Sequence, residues 1–161
     1  MADWYVRNAR EGRWWEKGPR GRVKDLVEDD AAQVAVNLFV LEPGHRMSMY
    51  HWEADQEGFL VLSGEALLIV EDEERPLREW DYFHCPAPVP HTIVGAGSGP
   101  CTILAVGAQE HQAGPGWGGY PYSEVAMKHD ASAEEETTSA RVAYARFPDS
   151  EPTEYQDGWL P

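Results

Sequence analysis

The chain has 161 residues, with 13 Lys and Arg against 28 Asp and Glu, and a formal net charge of −15. That acid surplus argues against nucleic acid and anionic membrane surfaces as partners, because both are held through Lys and Arg. The length suits one domain, since domains commonly hold about 100–200 residues, and 42% hydrophobic content is enough for a core.

Residues 1–33 read as an irregular arm that carries Trp4, Tyr5, Trp14 and Trp15 among Arg7, Arg10, Arg13, Lys17, Arg20, Arg22 and Lys24. Its opening residues lack a basic segment followed by an apolar run, so no export signal is read and a cytoplasmic location is expected. Clustered rings in a polar arm seek apolar cover. The arm is therefore expected to pack on the barrel or on a second copy, with Trp14 and Trp15 across a homodimer interface.

Residues 34–108 have the texture of short strands and turns. The run 34–41 is apolar and β-branched and stops at Glu42-Pro43-Gly44. Further strands are predicted over 47–53, 58–62, 66–70, 75–79, 82–85, 91–94 and 102–107. The turn Ser63-Gly64-Glu65 joins two of them, and the acidic turn 71–74 follows. Such regular spacing indicates an all-β sandwich or barrel. Its longest apolar stretch, 66–70, is far short of the roughly 20 residues that span a bilayer. Cys85 and Cys101 sit in apolar strands and read as buried, reduced thiols. Residues 109–161 form an extension. It holds a Gly-rich loop over 114–121, a short helix over 123–129 capped by Ser123, a second helix over 138–147, and an extended end anchored by Trp159-Leu160.

The chemistry concentrates between Gly44 and Gly64. Side chains alternate along a strand, so Met47, Met49, His51 and Glu53 are expected on one face. A buried carboxylate is costly unless it is paired or bound to a cation. Glu57 precedes the apolar strand holding Phe59 and Val61, and His91 follows the Pro-rich turn 85–90. Imidazole and carboxylate together suit a divalent ion such as Zn, Fe, Mn or Ni.

The spacing resembles the two motifs of the cupin superfamily. Gly44 is followed by six residues, His51, one residue and Glu53; after three more residues comes Glu57, and after a further six comes Gly64. The second stretch runs Trp80, five residues, Pro86-Ala87-Pro88, two residues, His91. Glu53 stands where the family has its second His, and Trp80 and Pro88 stand at usual glycines. The resemblance covers about 34–107. It implies a single double-stranded β-helix, the jelly-roll cupin barrel, with an aromatic N-terminal arm and short C-terminal helices. It also implies one divalent metal ion on His51, Glu53, Glu57 and His91, and a metal-dependent oxygenase or isomerase acting on a small organic molecule, with Glu53 or Glu57 as base. Met47, Met49, Phe59 and Val61 are expected to line the lumen, with His84 as a further candidate. No basic residue falls at a lumen position, which disfavours a phosphorylated substrate. A non-catalytic small-molecule barrel of sensor or storage type is the alternative.

Overall fold

The computed structural model describes residues 4–29, 32–112 and 114–161. Its strands are β1 (Arg13–Glu16), β2 (Arg22–Asp25), β3 (Val34–Leu41), β4 (Trp52–Glu53), β5 (Glu57–Ser63), β6 (Glu65–Val70), β7 (Glu73–Arg78), β8 (Tyr82–Cys85), β9 (His91–Ala96), β10 (Cys101–Ala108), β11 (Gly118–Gly119) and β12 (Glu151–Glu154). Two short helices, α1 (Glu124–Met127) and α2 (Ala140–Ala143), start at Ser123 and Ser139. Each serine accepts a backbone N–H of the first turn, which satisfies a donor the helix itself cannot. No helix among the described residues is long and apolar enough to cross a membrane.

The larger sheet runs β12-β1-β2-β3-β10-β5-β8 and the smaller runs β7-β6-β9, with every neighbouring pair antiparallel. Alternate residues of the facing strands fill the space between the sheets: Phe59 and Val61 of β5, Ala66 and Leu68 of β6, Cys101, Ile103 and Ala105 of β10, and Ile93 of β9. This double-sheet barrel of jelly-roll type is the expected all-β architecture.

The other face of β3 is also covered. Leu38 and Val40 pack under Trp14 and Trp159, which is why β3 reads as an almost unbroken apolar run rather than an alternating one. Trp14 meets Trp159 edge-on at 5.3 Å between ring centroids. The arm is thus more regular than its sequence suggests. β1 pairs with β2 on one side and with β12 of the tail on the other. Lys24 is buried, and its ammonium donates to the Glu11 and Arg13 carbonyls at 2.7 and 2.9 Å. Trp14 is therefore consumed inside its own chain and is not free to cross a dimer interface, contrary to expectation.

The predicted strand over 47–53 survives only as Trp52–Glu53, paired to Gly118–Gly119. Its backbone donors go elsewhere: Met49 N–H donates to the Tyr144 hydroxyl and Tyr50 N–H to the Ala131 carbonyl. The C-terminal extension competes for these donors and breaks the strict alternation.

Truncating Trp14 removes a large, wholly buried side chain from between arm, tail and sheet. Trp14→Ala is expected to cost about 3–5 kcal/mol of unfolding free energy, read by urea denaturation. A loss below 1 kcal/mol would show that the arm does not form part of the cooperative fold.

Candidate metal centre

Two backbone hydrogen bonds build the site. His51 N–H donates to the His91 carbonyl at 3.1 Å, and His91 N–H returns the bond at 2.8 Å. This bridge joins the segment before β4 to the start of β9 and sets the two imidazole centroids 5.0 Å apart.

The ring tautomers follow from the partners. His51 Nδ1 lies 2.9 Å from the Met49 carbonyl and His91 Nδ1 lies 3.1 Å from the Val89 carbonyl. A carbonyl cannot donate, so each Nδ1 carries a proton and each ring turns its Nε2 into the barrel. These Nε2 atoms face carboxylates: His51 Nε2 is 3.2 Å from Glu53 Oε1, and His91 Nε2 is 3.2 Å from Glu57 Oε2. A lone pair facing an anionic oxygen is unfavourable unless a cation, proton or metal, stands between them. At His91 the pair lacks hydrogen-bond alignment, and both Nε2 and Glu57 Oε2 are buried with no other partner.

One ligand atom each from His51, Glu57 and His91 falls within a mutual spread of 4.8 Å. Three convergent donors on a buried floor, two imidazole and one carboxylate, fit a divalent ion, with the Nδ1–carbonyl bonds holding the rings in the ligating tautomer. Glu53 lies outside that compact group, beside His51. Burial works to raise the Glu57 carboxyl, but His91 and then His51 outweigh it and hold the group below the ordinary carboxylate range.

Cys85 lies 3.2 Å from His91 Nδ1. Burial, reinforced by Glu57, Glu53 and Glu71, pushes its thiol up to about 12. It is a neutral neighbour on the side of the ring that faces away from Nε2, and both cysteines are free and buried.

Two of the three donors, His51 and Glu57, line a cavity of about 300 Å³, with His91 buried behind them. Phe59 and Met47 line it as expected, and Phe59 packs on His91 at 5.3 Å. Three expected lining residues do not. Met49 is turned out of the barrel into a cluster with Tyr120, Ala133 and Ala143, because the hydrogen bonds to the extension rotate its segment. Val61 lies deeper in the core. His84 is exposed, since Phe83 and Cys85 take the inward positions of β8.

β3 and β10 add wall through residues such as Asn37, Phe39 and Ala105, and further wall comes from outside the barrel strands. The extension contributes Trp117, Tyr120 and Tyr144, with Tyr120 stacked on His51 at 5.9 Å and 24°. The arm contributes Lys17 and Arg20. Two cations therefore line the lumen, contrary to the expectation of none. The segment Lys17-Gly18-Pro19-Arg20-Gly21 carries an evident turn signal, but nothing local shows what that turn docks against.

Residues 37–107 match the family model for the cupin domain. The fold and the residue spacing agree with that match over this segment. Among solved structures, it is 29% identical to a sugar phosphate isomerase of the cupin superfamily from Silicibacter pomeroyi, with a TM-score of 0.50 over 62% of this chain and 61% of that one. The chain therefore spans about three fifths of that protein's length. A cupin-like protein from Thermotoga maritima aligns over 83% of this chain and 100% of that one at 21% identity, TM-score 0.57. A cupin 2 domain-containing protein from Halorhodospira halophila gives 19% identity and a TM-score of 0.55 over 73% and 79%. The last two speak to fold alone. No curated protein matches the chain.

The buried thiols give a pH signature. Burial raises Cys85 to about 12 and Cys101 to about 11, against 9.0 for the free group. Below pH 9 both are thiols in folded and unfolded chains alike. Above it the unfolded chain releases protons that the folded chain retains, so stability falls as pH rises from about 9 towards 11–12. At pH 8 neither thiol of the native protein is expected to react with a disulfide reagent, and both react after unfolding. Rapid labelling of native Cys85 would contradict its placement.

Proposed function

We propose that the barrel holds one divalent metal ion on His51, Glu57 and His91, and that Glu53 moves a proton on a small oxygen-bearing molecule in the cavity, as an isomerase would. The observation that carries the reading is the pair of inward Nε2 atoms facing carboxylates, with His91 Nε2 and Glu57 Oε2 both buried and unpartnered. A proton could bridge one such pair. Three convergent donors are better satisfied together by one divalent ion.

The roles divide by position. His51 and His91 hold their Nε2 atoms inward because Met49 and Val89 fix the Nδ1 protons. Glu57 supplies the anionic donor from the first position of β5. When bound, a divalent ion polarises a carbonyl or hydroxyl oxygen and acidifies the neighbouring C–H. Glu53, outside the compact donor group and on the cavity wall, can take that proton from one carbon and return it to the next. The Phe59 and Met47 wall and the Tyr120 ring restrict water around the exchange. The likeness to the Silicibacter pomeroyi isomerase supports an isomerisation over an oxygenation.

His91→Ala and Glu57→Gln are each expected to abolish stoichiometric metal, measured by elemental analysis and by titration with Mn²⁺ and Zn²⁺. Glu53→Gln is expected to keep the metal within a few-fold in affinity and to lose exchange of a substrate C–H with D₂O. Wild-type metal content in both His91→Ala and Glu57→Gln would sink the assignment. A barrel that takes metal but exchanges no C–H proton in any small hydroxy-carbonyl compound would favour a binding module.

A further inference from the structure

Six of the 13 Lys and Arg of this acidic chain are engaged by a carboxylate or by two carbonyls. Arg7, Arg22, Arg46, Arg75 and Arg146 each lie within 4.0 Å of a carboxylate, and Lys24 is held by two backbone carbonyls. Lys17 and Arg20 differ from the rest by their place. They line the cavity, and among the described residues neither has an ion pair there, although Glu53 and Glu57 line the same space.

Their placement is built rather than incidental. The turn that carries them is closed by Lys17 N–H to the Gly21 carbonyl at 2.8 Å and Gly21 N–H to the Gly18 carbonyl at 2.9 Å. Gly21 has φ +71°, and a Cβ there would meet the Val40 carbonyl oxygen at 2.5 Å, so the turn must press against β3. Arg46 N–H donates to the Pro19 carbonyl at 3.1 Å and ties the turn to the barrel. The Arg20 guanidinium lies 4.2 Å over the Tyr144 ring. Its Nε is buried without a hydrogen-bond partner, which is a costly state for a cationic donor. Rings connect this point to the donor floor: Tyr144 meets Tyr120 at 5.6 Å, and Tyr120 stacks on His51.

We propose that Lys17 and Arg20 form an oxyanion subsite of the cavity. The ligand is then a small, oxygen-rich molecule that carries a phosphate or carboxylate at the end remote from His51, Glu57 and His91. An Arg fork beside a Lys point charge suits such a group, and low local hydration strengthens the contact. Lys17 is consistent with this: burial, then the nearby Arg20, lowers its pKa, and Asp25 offsets that only in part. An incoming anion would relieve both effects. The subsite lies outside residues 37–107, so it belongs to this chain's arm rather than to the matched cupin domain.

The proposal rests on reading the cavity as a ligand site, but its test does not require the metal. The full chain, treated with chelator, is titrated calorimetrically with glycerol 3-phosphate, glycerate and glycerol. One of the two anions is expected to bind saturably at one per chain, and glycerol is not. Lys17→Gln and Arg20→Gln are each expected to weaken that binding about 10-fold or more, as for loss of a charge-assisted contact. Arg20→Lys, which keeps the charge over Tyr144, should retain part of the binding, and thermal melts confirm that each variant is folded. Binding of glycerate in place of the phosphate would support the subsite and assign it to a carboxylate. Anion binding in a wild-type chain that takes no metal would leave the subsite standing and remove the metal reading. Absence of saturable anion binding would overturn the proposal, as would binding that Lys17→Gln and Arg20→Gln leave unchanged. A change in metal affinity alone would reassign the two cations to balancing Glu53 and Glu57, and would overturn it equally.

Discussion

The site depends on a single reciprocal pair of backbone hydrogen bonds, His51 to His91 and back. It does what a strand ladder would do, but at one point only. Because both residues are held by their main chains, the rings meet at a fixed 5.0 Å separation without any side chain having to be ordered for the purpose. Each ring then spends its Nδ1 proton on a carbonyl two residues earlier in its own segment, Met49 for His51 and Val89 for His91. The outcome is a pair of Nε2 atoms aimed at the same space, with the carboxylate of Glu57 opposite. Preorganisation of this kind removes the entropy cost of gathering donors when a ligand binds.

The cavity is a composite. The barrel supplies the floor, from His51, Glu57 and Phe59, with His91 buried beneath. The mouth is supplied by segments from both ends of the chain. The tail pairs with the arm through β12 and β1, and Trp159 seals Trp14 against the outer face of β3. Holding the arm there places the turn with Lys17 and Arg20 over the opening, and the extension sets Tyr120 and Tyr144 beside it. The net charge of −15 gains a different meaning in this setting. The surface repels polyanions, while the cavity is lined by two cations and two carboxylates together. A small zwitterionic environment of that kind can hold an anion at one end of a ligand and leave the other end to the donors.

Much of the barrel was legible in the sequence because turn chemistry and β-branched runs are local signals. The segments 34–41 and 82–85 form strands with the predicted bounds, and β5, β6, β9 and β10 extend theirs by one or two residues at an end. The Ser123 cap was readable for the same reason. The strand predicted over 47–53 was not: its alternation looked sound, but Met49 and Tyr50 give their N–H groups to Tyr144 and Ala131, some 80 to 95 positions away. Parity from Met47 to Glu53 fails at that point, and Met49 leaves the lumen. His84 could not be placed because parity does not carry through the prolines that follow it.

The sequence by itself singled out His51, Glu53, Glu57 and His91 as residues chemically able to hold an ion, by type and by spacing around Gly44, Gly64 and the proline turn. It also determined that the chain would be an all-β sandwich or barrel, because strand length, turn residues and apolar pattern all act within a few positions. Only the tertiary structure decided that Lys17 and Arg20 line the cavity. Lys17 and Arg20 are unremarkable arm residues until Gly21 fits against Val40 and the tail locks β1 in place. That decision lies in contacts between distant segments, where each backbone donor chooses among partners that no local pattern specifies.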